Sequence, residues 1–473
     1  MRMPTQKKWH VFALVATGVF MTTLDSSIVN IALPTIMTDL GAAFETVQWV
    51  VVIYLLTISA TLLTFGRLSD ITGRRWVYCC GFIAFSVGSL CCGSSFQSFW
   101  LILSRVLQGI GAAMIMACSP ALVVDAFPQR ERGKALGFVG AVVSTGLISG
   151  PFLGGLILQF FHWRVIFLLN IPIGIVAVLA GCRLLQGTAS DVASRESFDW
   201  PGAVWLAVAL FSLMTFMLHA GEWGVFSIPM IALAGTTLIG TALLVRSGYR
   251  SAHPLIDRQL LRNRFFMVSV ACAVILFAGL FTITFLMPFY LMRPAGLGPR
   301  ATGMVMMTPF VFLFFISPLS GSLCDRFGSR LLCFVGMGAL TAALLAFATL
   351  MPSPRLFGEM WRLALAGIGI ALFLPAYNAS AMNAIPAGKR GIASGTVAAA
   401  RNFGMVIGVA LSGLIFNHTF VRLSQGSDPN VYHPALRPVF LQAFHAAMLA
   451  GALLVGIGWV LTLLRGKPDN PAA

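Results

Sequence analysis

"GRLSDITGRR" at residues 66–75 and "GSLCDRFGSR" at 321–330 share the pattern G-x-L-x-D-x-x-G-x-R at an offset of 255 residues. A second pair, "FPQRERGKALG" at 127–137 and "IPAGKRGIASG" at 385–395, aligns Pro128 with Pro386, Arg132 with Arg390, Gly133 with Gly391 and Gly137 with Gly395, at an offset of 258. Two landmarks recurring in the same order at nearly the same offset divide the chain into two parallel halves. The apolar runs between these turns say what kind of halves they are.

Of 473 residues, 58% are hydrophobic and only 10% charged, where a soluble domain carries roughly 25% charged residues. Mean hydropathy is +0.89, so the chain reads as an integral membrane protein. A bilayer core takes about 20 apolar residues per helix, and such runs fall at 10–32, 47–66, 77–96, 99–124, 136–160, 162–182, 202–221, 226–246, 265–291, 301–323, 331–350, 361–385, 391–416 and 441–464. The first six spans end near residue 182 and the repeat restarts near 265, leaving room for one inserted hairpin. The expected fold is all-α, with fourteen transmembrane helices as six plus two plus six. Residues 1–182 form an N-terminal bundle, 183–264 an inserted hairpin with linkers, and 265–473 a C-terminal bundle. Parallel halves around a midplane site are a transporter architecture in which one half rocks against the other.

An even number of spans puts both termini on one side, and Lys and Arg are retained in the cytoplasm during insertion. Twenty-two of the 31 basic residues fall on the N-terminal side, seven on the other, and Arg105 and Arg401 lie inside spans, so both termini are expected to be cytoplasmic. The net charge of +16 therefore reports loop topology, and no nucleic-acid partner is expected. The nine cysteines sit in or beside apolar runs, with no CxxC and no His at ligand spacing, and read as packing residues; no metal or cofactor is expected. Arg2, Lys7 and Lys8 ahead of an apolar run look superficially like a signal peptide, but no small-residue cleavage site follows and the run continues past Asp25, so it is kept as the first helix. The absence of a G-x-x-x-x-G-K-[ST] loop argues against ATP as the energy source.

The first span contains an acid, Asp25, in "FMTTLDSSIVNIALP" at 20–34. An ionised Asp in hydrocarbon costs about 2.5–3.5 kcal/mol, so a membrane helix keeps one for a use. At 1.5 Å per residue Asp25 lies roughly 10 Å below the outer surface and Arg105, in the fourth span, roughly 9 Å, so the two can pair. A buried acid beside a cation, with water access that changes between states, shifts its pKa as the cavity opens and closes. Asp25 is thus the expected proton carrier and Arg105 its tuner or relay; the alternative is a static ion pair fastening the first span to the fourth. The other acids read as loop or span-end residues. Glu222, beside His219 at the outer end of the seventh span, either passes protons or attracts cations at the mouth, or is simply solvated. Arg401 sits roughly mid-bilayer in the thirteenth span with no acid nearby in its half, so its partner is Asp25, an amide such as Asn378 or Gln442, or a substrate anion. The 38 Phe and 21 Met suit an adaptable greasy cavity.

Gly146, Gly150, Gly154 and Gly155 recur at helical spacing in the fifth span, allowing close helix approach, and Pro151 favours a bend. Such a helix could seal one face between the halves, or could be ordinary small-residue packing. Asp70, Gly73, Arg74 and Arg75 occupy a tight turn in which Gly supplies backbone freedom.

Taken together these stretches resemble the major facilitator superfamily, and within it the fourteen-helix drug:proton antiporter branch, over nearly the whole chain. "LDSSIVNIALP" (24–34) looks like that branch's first-helix signature, "GRLSDITGRR" like the superfamily motif between the second and third helices, and "RVLQGIG" (105–111) like the fourth-helix arginine motif. "GLISGPFLGG" (146–155) matches the antiporter pattern GxxxGPxxGG, and "GEWG" (221–224) looks like the segment after the seventh helix. The resemblance implies a proton-coupled antiporter that exports hydrophobic or amphipathic drugs by alternating access across the bacterial inner membrane, as a monomer, with protons, a small-molecule substrate and the lipid bilayer as partners. It also implies that Gly66, Asp70, Gly73, Arg74 and Arg75, echoed by Asp325 and Arg330, form a cytoplasmic latch whose charge pairs break and reform. The competing readings are a proton-coupled exporter of one metabolite, lipid or organic anion, which Arg401 favours, and a non-transporting sensor or enzyme, for which the chain shows neither a soluble domain nor a catalytic cluster.

Overall fold

The computed structural model describes residues 5–129, 131–185, 199–224, 226–250, 260, 262–350, 356–383, 385, 390–425, 429 and 432–464. Among these residues there is no strand, and fourteen helices are long and apolar enough to cross a membrane. They are α1 (Thr5–Asp39), α2 (Phe44–Thr72), α3 (Arg74–Gly93), α4 (Ser98–Ala126), α5 (Arg132–Phe160), α6 (Arg164–Leu184, interrupted at Leu169) and α7 (Trp200–Trp223). The remainder are α8 (Ile228–Arg250), α9 (Arg264–Met292), α10 (Pro299–Met306 and Thr308–Phe327, broken at Met307), α11 (Ser329–Phe347), α12 (Leu356–Asn383), α13 (Arg390–Leu423) and α14 (Arg437–Leu463).

Most helices outrun the apolar segments that announce them. The first was expected to stop at 32, ahead of Pro34, yet α1 continues to Asp39 with Pro34 inside it. A proline in a helix removes one backbone hydrogen bond, and the flanking turns hold the geometry. Hydropathy marks the length that must sit in hydrocarbon, not where helical hydrogen bonding ends.

The repeat is visible in the packing. In the first six helices α1 packs on α5, α2 on α4, and α3 on both α4 and α6; eight helices later α9 packs on α13, α10 on α12, and α11 on α12 and α14. Small residues let membrane helices approach closely, and they recur at matching places. A Cβ on Gly111 of α4 would lie 2.7 Å from the Gly81 carbonyl oxygen of α3, and one on Gly369 of α12 would lie 2.7 Å from that of Gly336 on α11. The turns recur as well. Gly73 (φ 98°) joins α2 to α3 and Gly328 (φ 80°) joins α10 to α11, in a backbone region that favours glycine. Beyond each turn an arginine reaches the C-terminal end of the last helix of its set: Arg75 Nη2 donates to the Cys182 carbonyl (2.9 Å) and Arg330 Nη2 to that of Leu463 (2.5 Å).

α7 and α8 form the extra hairpin. They meet through Gly240 against Ala209 and through a 3.0 Å contact between the Ser212 and Thr237 hydroxyls. The pair lies at the periphery, α8 exposing most of its length, while α7 leans on both α2 and α13. Trp49 of α2 faces Phe211 and His219 of α7, each at 6.2 Å between ring centroids.

Candidate functional site

The first set of helices holds a polar cluster in its core. Asp25 is 1% exposed and Arg105 is fully buried. Arg105 Nη1 donates to Asp25 Oδ2 at 2.5 Å and to Gln108 Oε1 at 2.6 Å, and its Nε donates to the Val50 carbonyl at 3.0 Å. Gln108 Nε2 donates to Asp25 Oδ1 (2.8 Å) and Ser89 Oγ (2.7 Å), while Asn170 Nδ2 reaches the same two acceptors at 3.4 and 3.1 Å. The guanidinium lies over the Tyr54 ring, 3.9 Å from its centroid, a geometry that attracts cations electrostatically. Tyr54 in turn donates its hydroxyl proton to the Thr22 carbonyl at 3.2 Å. Residues from α1, α2, α3, α4 and α6 thus enclose one carboxylate and one guanidinium that answer each other's charge, which is what a buried ion pair requires to offset its desolvation; Arg105 Nη2 alone of that guanidinium's nitrogens has no hydrogen-bond partner among the described residues. The apolar runs pointed to the two charges; Gln108, Ser89, Asn170 and Tyr54 gave no comparable signal, since uncharged polar side chains are common in membrane helices.

Beside this cluster lies a central cavity. Thr22, Thr23 and Ser26 of α1 line it, on the same turns as Asp25, together with Tyr377 and Asn378 of α12 and Arg401 and Asn402 of α13. Its walls are otherwise mainly Leu, Ile, Val, Met and Phe from α2, α4, α5, α9 and α10. Asp25 itself is not part of the lining: its carboxylate is held by Arg105, Gln108 and Asn170, while its sequence neighbour Ser26 lines the cavity. Arg401 Nε is buried without a hydrogen-bond partner among the described residues. Of the partners considered for it, Asp25 is held by Arg105, Gln442 is exposed, and Asn378 lines the same cavity.

Two helix contacts close the cavity at the end away from the chain termini. Gln48 of α2 donates to the carbonyls of Val409 (2.7 Å) and Ala410 (3.3 Å) on α13, and Asn417 of α13 donates to Glu45 of α2. Phe44, Phe285, Phe289 and Phe416 pack around this contact at 5.1–5.7 Å between centroids. The second contact uses the glycine motif, whose two sides face different helices. Gly146, Gly150 and Gly154 lie against Thr23, Ser27 and Ile28 of α1, whereas a Cβ on Gly155 would lie 2.6 Å from the Pro299 carbonyl and 3.0 Å from Gly303 Cα of α10. Pro151 belongs to the second side, its carbonyl lying against Gly303. Toward the termini the fit loosens along α5, where Gly137 and Gly140 have open space where a Cβ would be, whereas α13 still meets α2, a Cβ on Gly395 lying 3.2 Å from Leu63.

The remaining motif residues lie elsewhere. Arg74 pairs with Asp70 at 3.1 Å and with Asp125 of α4, so the turn's charges tie α2, α3 and α4 together. Gly66 lies near Ala117 of α4. Glu222 falls in α7 and Asp325 in α10, but their side chains lie outside the described residues, as do Pro386 and Lys389 of the second repeated turn. Glu359 lies at a span end, in the first turn of α12, and is nevertheless buried, 2% exposed and accepting a 3.0 Å hydrogen bond from Tyr290. Asp199 is buried too, as the N-cap of α7, where its carboxylate accepts from the Gly202 amide and from Ser247.

Comparison with known proteins places this geometry. The Major Facilitator Superfamily model matches residues 15–409 and 269–472. The chain is 36% identical over 411 residues to the riboflavin transporter RibZ of Clostridioides difficile, covering 87% of this chain and 89% of that protein. It is 32% identical over 414 residues to the multidrug resistance protein Stp of Mycobacterium tuberculosis, covering 86% and 76%. Among solved structures, a bacterial homologue of the human lysosomal transporter Spinster, crystallised inward-facing and unoccupied, superposes with a TM-score of 0.67 at 17% identity, covering 98% of each chain.

Proposed function

The chain belongs to the Major Facilitator Superfamily of membrane transporters, and on that premise we propose that it is a proton-coupled antiporter exporting amphipathic, mainly hydrophobic compounds by alternating access across a bacterial inner membrane, with both termini cytoplasmic. The halves that move are residues 1–182 and 265–473, the hairpin of 183–264 riding between them. The observation that carries the reading is the Asp25–Arg105 cluster, whose acid lies on the same turns of α1 that line the cavity. An acid on the helix that lines the substrate site can be opened to water, or closed from it, by the movement that exposes the substrate. Proton release on one side and uptake on the other then follow from the change in desolvation. Gln48 and the Gly155–Gly303 contact act as the periplasmic gate, which is closed in the present state. The turn at Asp70–Arg75 acts as the cytoplasmic latch, with Asp325 and Arg330 as its counterpart.

Purified protein in proteoliposomes, driven by an imposed pH gradient, tests the reading. Substrate movement should follow the gradient in the wild type and vanish in Asp25→Asn. Coupled transport retained in Asp25→Asn would leave the cluster as a static fastening. A narrower reading, export of one metabolite, is favoured by the likeness to a riboflavin transporter; susceptibility profiling of cells with and without the gene separates the two, since a drug exporter changes tolerance to several unrelated compounds.

A further inference from the structure

We infer that the central cavity is a binding site for organic anions, in which Arg401 and Asn402 hold the anionic group and the apolar wall holds the body of the molecule. Arg401 is the one charged side chain among the described residues that line the cavity, and no Asp or Glu is among them. A cation entering an apolar site from water loses hydration that only a carboxylate or a set of acceptors restores, and a resident guanidinium repels it. An anion meets the opposite situation. Arg401 Nε and Asn402 Nδ2, from consecutive residues, are both buried and have no hydrogen-bond partner among the described residues. Two unpartnered donors from residues of the cavity lining, one of them charged, match the acceptor-only chemistry of a carboxylate or sulfonate. Among the described residues the cavity wall supplies no answering carboxylate: Asp25, the nearby acid of α1, is engaged by Arg105, Gln108 and Asn170. Leu55, Ile58, Met116, Phe277, Phe310 and Met405 supply the apolar wall on which a flat hydrophobic body would rest.

This rests on the exporter reading only for the direction of movement; the charge preference is a property of the site alone. Two dyes with one xanthene core and opposite charge test it: carboxyfluorescein, an anion, and rhodamine 6G, a cation. Their binding to the protein in lipid nanodiscs, with empty nanodiscs as the blank and no gradient present, is read by fluorescence polarisation. The wild type should bind the anion at least tenfold more tightly. Arg401→Gln should remove at least tenfold of that affinity without weakening the cation, Arg401→Lys should keep part of it, and Asn402→Ala should lose several-fold. Equal binding or a cation preference in the unaltered protein overturns the inference whether or not the variants fold, as does an Arg401→Gln protein that holds the anion unchanged. Proteoliposome flux under a pH gradient separates this from the functional reading. Anion preference without proton-driven movement leaves the anion site standing and sinks the antiport, whereas proton-driven movement of the cation alone does the reverse.

Discussion

Arg105 and Arg401 are both guanidinium groups set within the apolar thickness of the helix bundle, and the chain treats them oppositely. Arg105 is fully buried, with a carboxylate, an amide, a backbone carbonyl and an aromatic face around it. Arg401 stands at a cavity wall with Nε unpartnered among the described residues. Burying an ion costs several kcal/mol unless charge and hydrogen bonds answer it. The charge of the first arginine is answered inside the fold by Asp25, although its Nη2 has no partner among the described residues, so its chemistry concerns the carboxylate it holds. The second is left for something outside the fold to answer.

The largest expected effect lies on the first arginine's partner. Asp25→Asn should cut pH-gradient-driven flux by two orders of magnitude or more, while the protein remains monodisperse and its cavity still binds dye within threefold of wild type; a variant that still pumps breaks the comparison. Next is stability. Arg105→Leu strands a buried carboxylate and should cost about 3–5 kcal/mol, read as a lower thermal midpoint in detergent, whereas Arg401→Leu, which removes an unanswered charge, should be neutral or stabilising. Equal losses would mean that the fold neutralises both arginines. Combining Arg105→Leu with Asp25→Asn should recover part of the loss, since groups in contact are not additive. A middling effect is expected at the gate. Gly155→Val or Gly303→Val should hold α5 off α10, and a cysteine placed by Asn417→Cys should then react several-fold faster with a water-soluble thiol reagent added from the periplasmic side. The smallest concerns the two end-capping arginines. Arg75→Gln and Arg330→Gln each remove one exposed hydrogen bond to a helix end, worth about 0.5–1.5 kcal/mol, and should cost similar amounts if the two turns are equivalent.

How much of this could be read beforehand follows from what each signal measures. Apolar length is imposed by the bilayer, so the fourteen spans stood out, and the repeated turns stood out because Gly73 and Gly328 need a backbone region few residues accept. Helix ends were less legible: α1 passes through Pro34, and nothing in hydropathy distinguishes a last buried turn from the solvated one beyond it. Asp25 and Arg105 were visible because charge in an apolar run is costly, but the amides that complete their cluster carry no such cost. The burial of Glu359 was not legible because counting from a span boundary places a residue at a helix end without telling whether its side chain turns outward to water or inward to Tyr290. The glycine motif could be seen as small residues on one helix; that Gly146, Gly150 and Gly154 serve α1 while Gly155 serves α10 depends on two neighbours that a single helix does not specify.

At the Gly155–Gly303 crossing α5 and α10 meet backbone to backbone. Glycine has no χ angle to freeze when it is buried, so parting and rejoining at this crossing trades no rotamer entropy. A joint built this way has no side chains to re-sort between cycles, and its wear-free surface is one that even a single added methyl group would spoil.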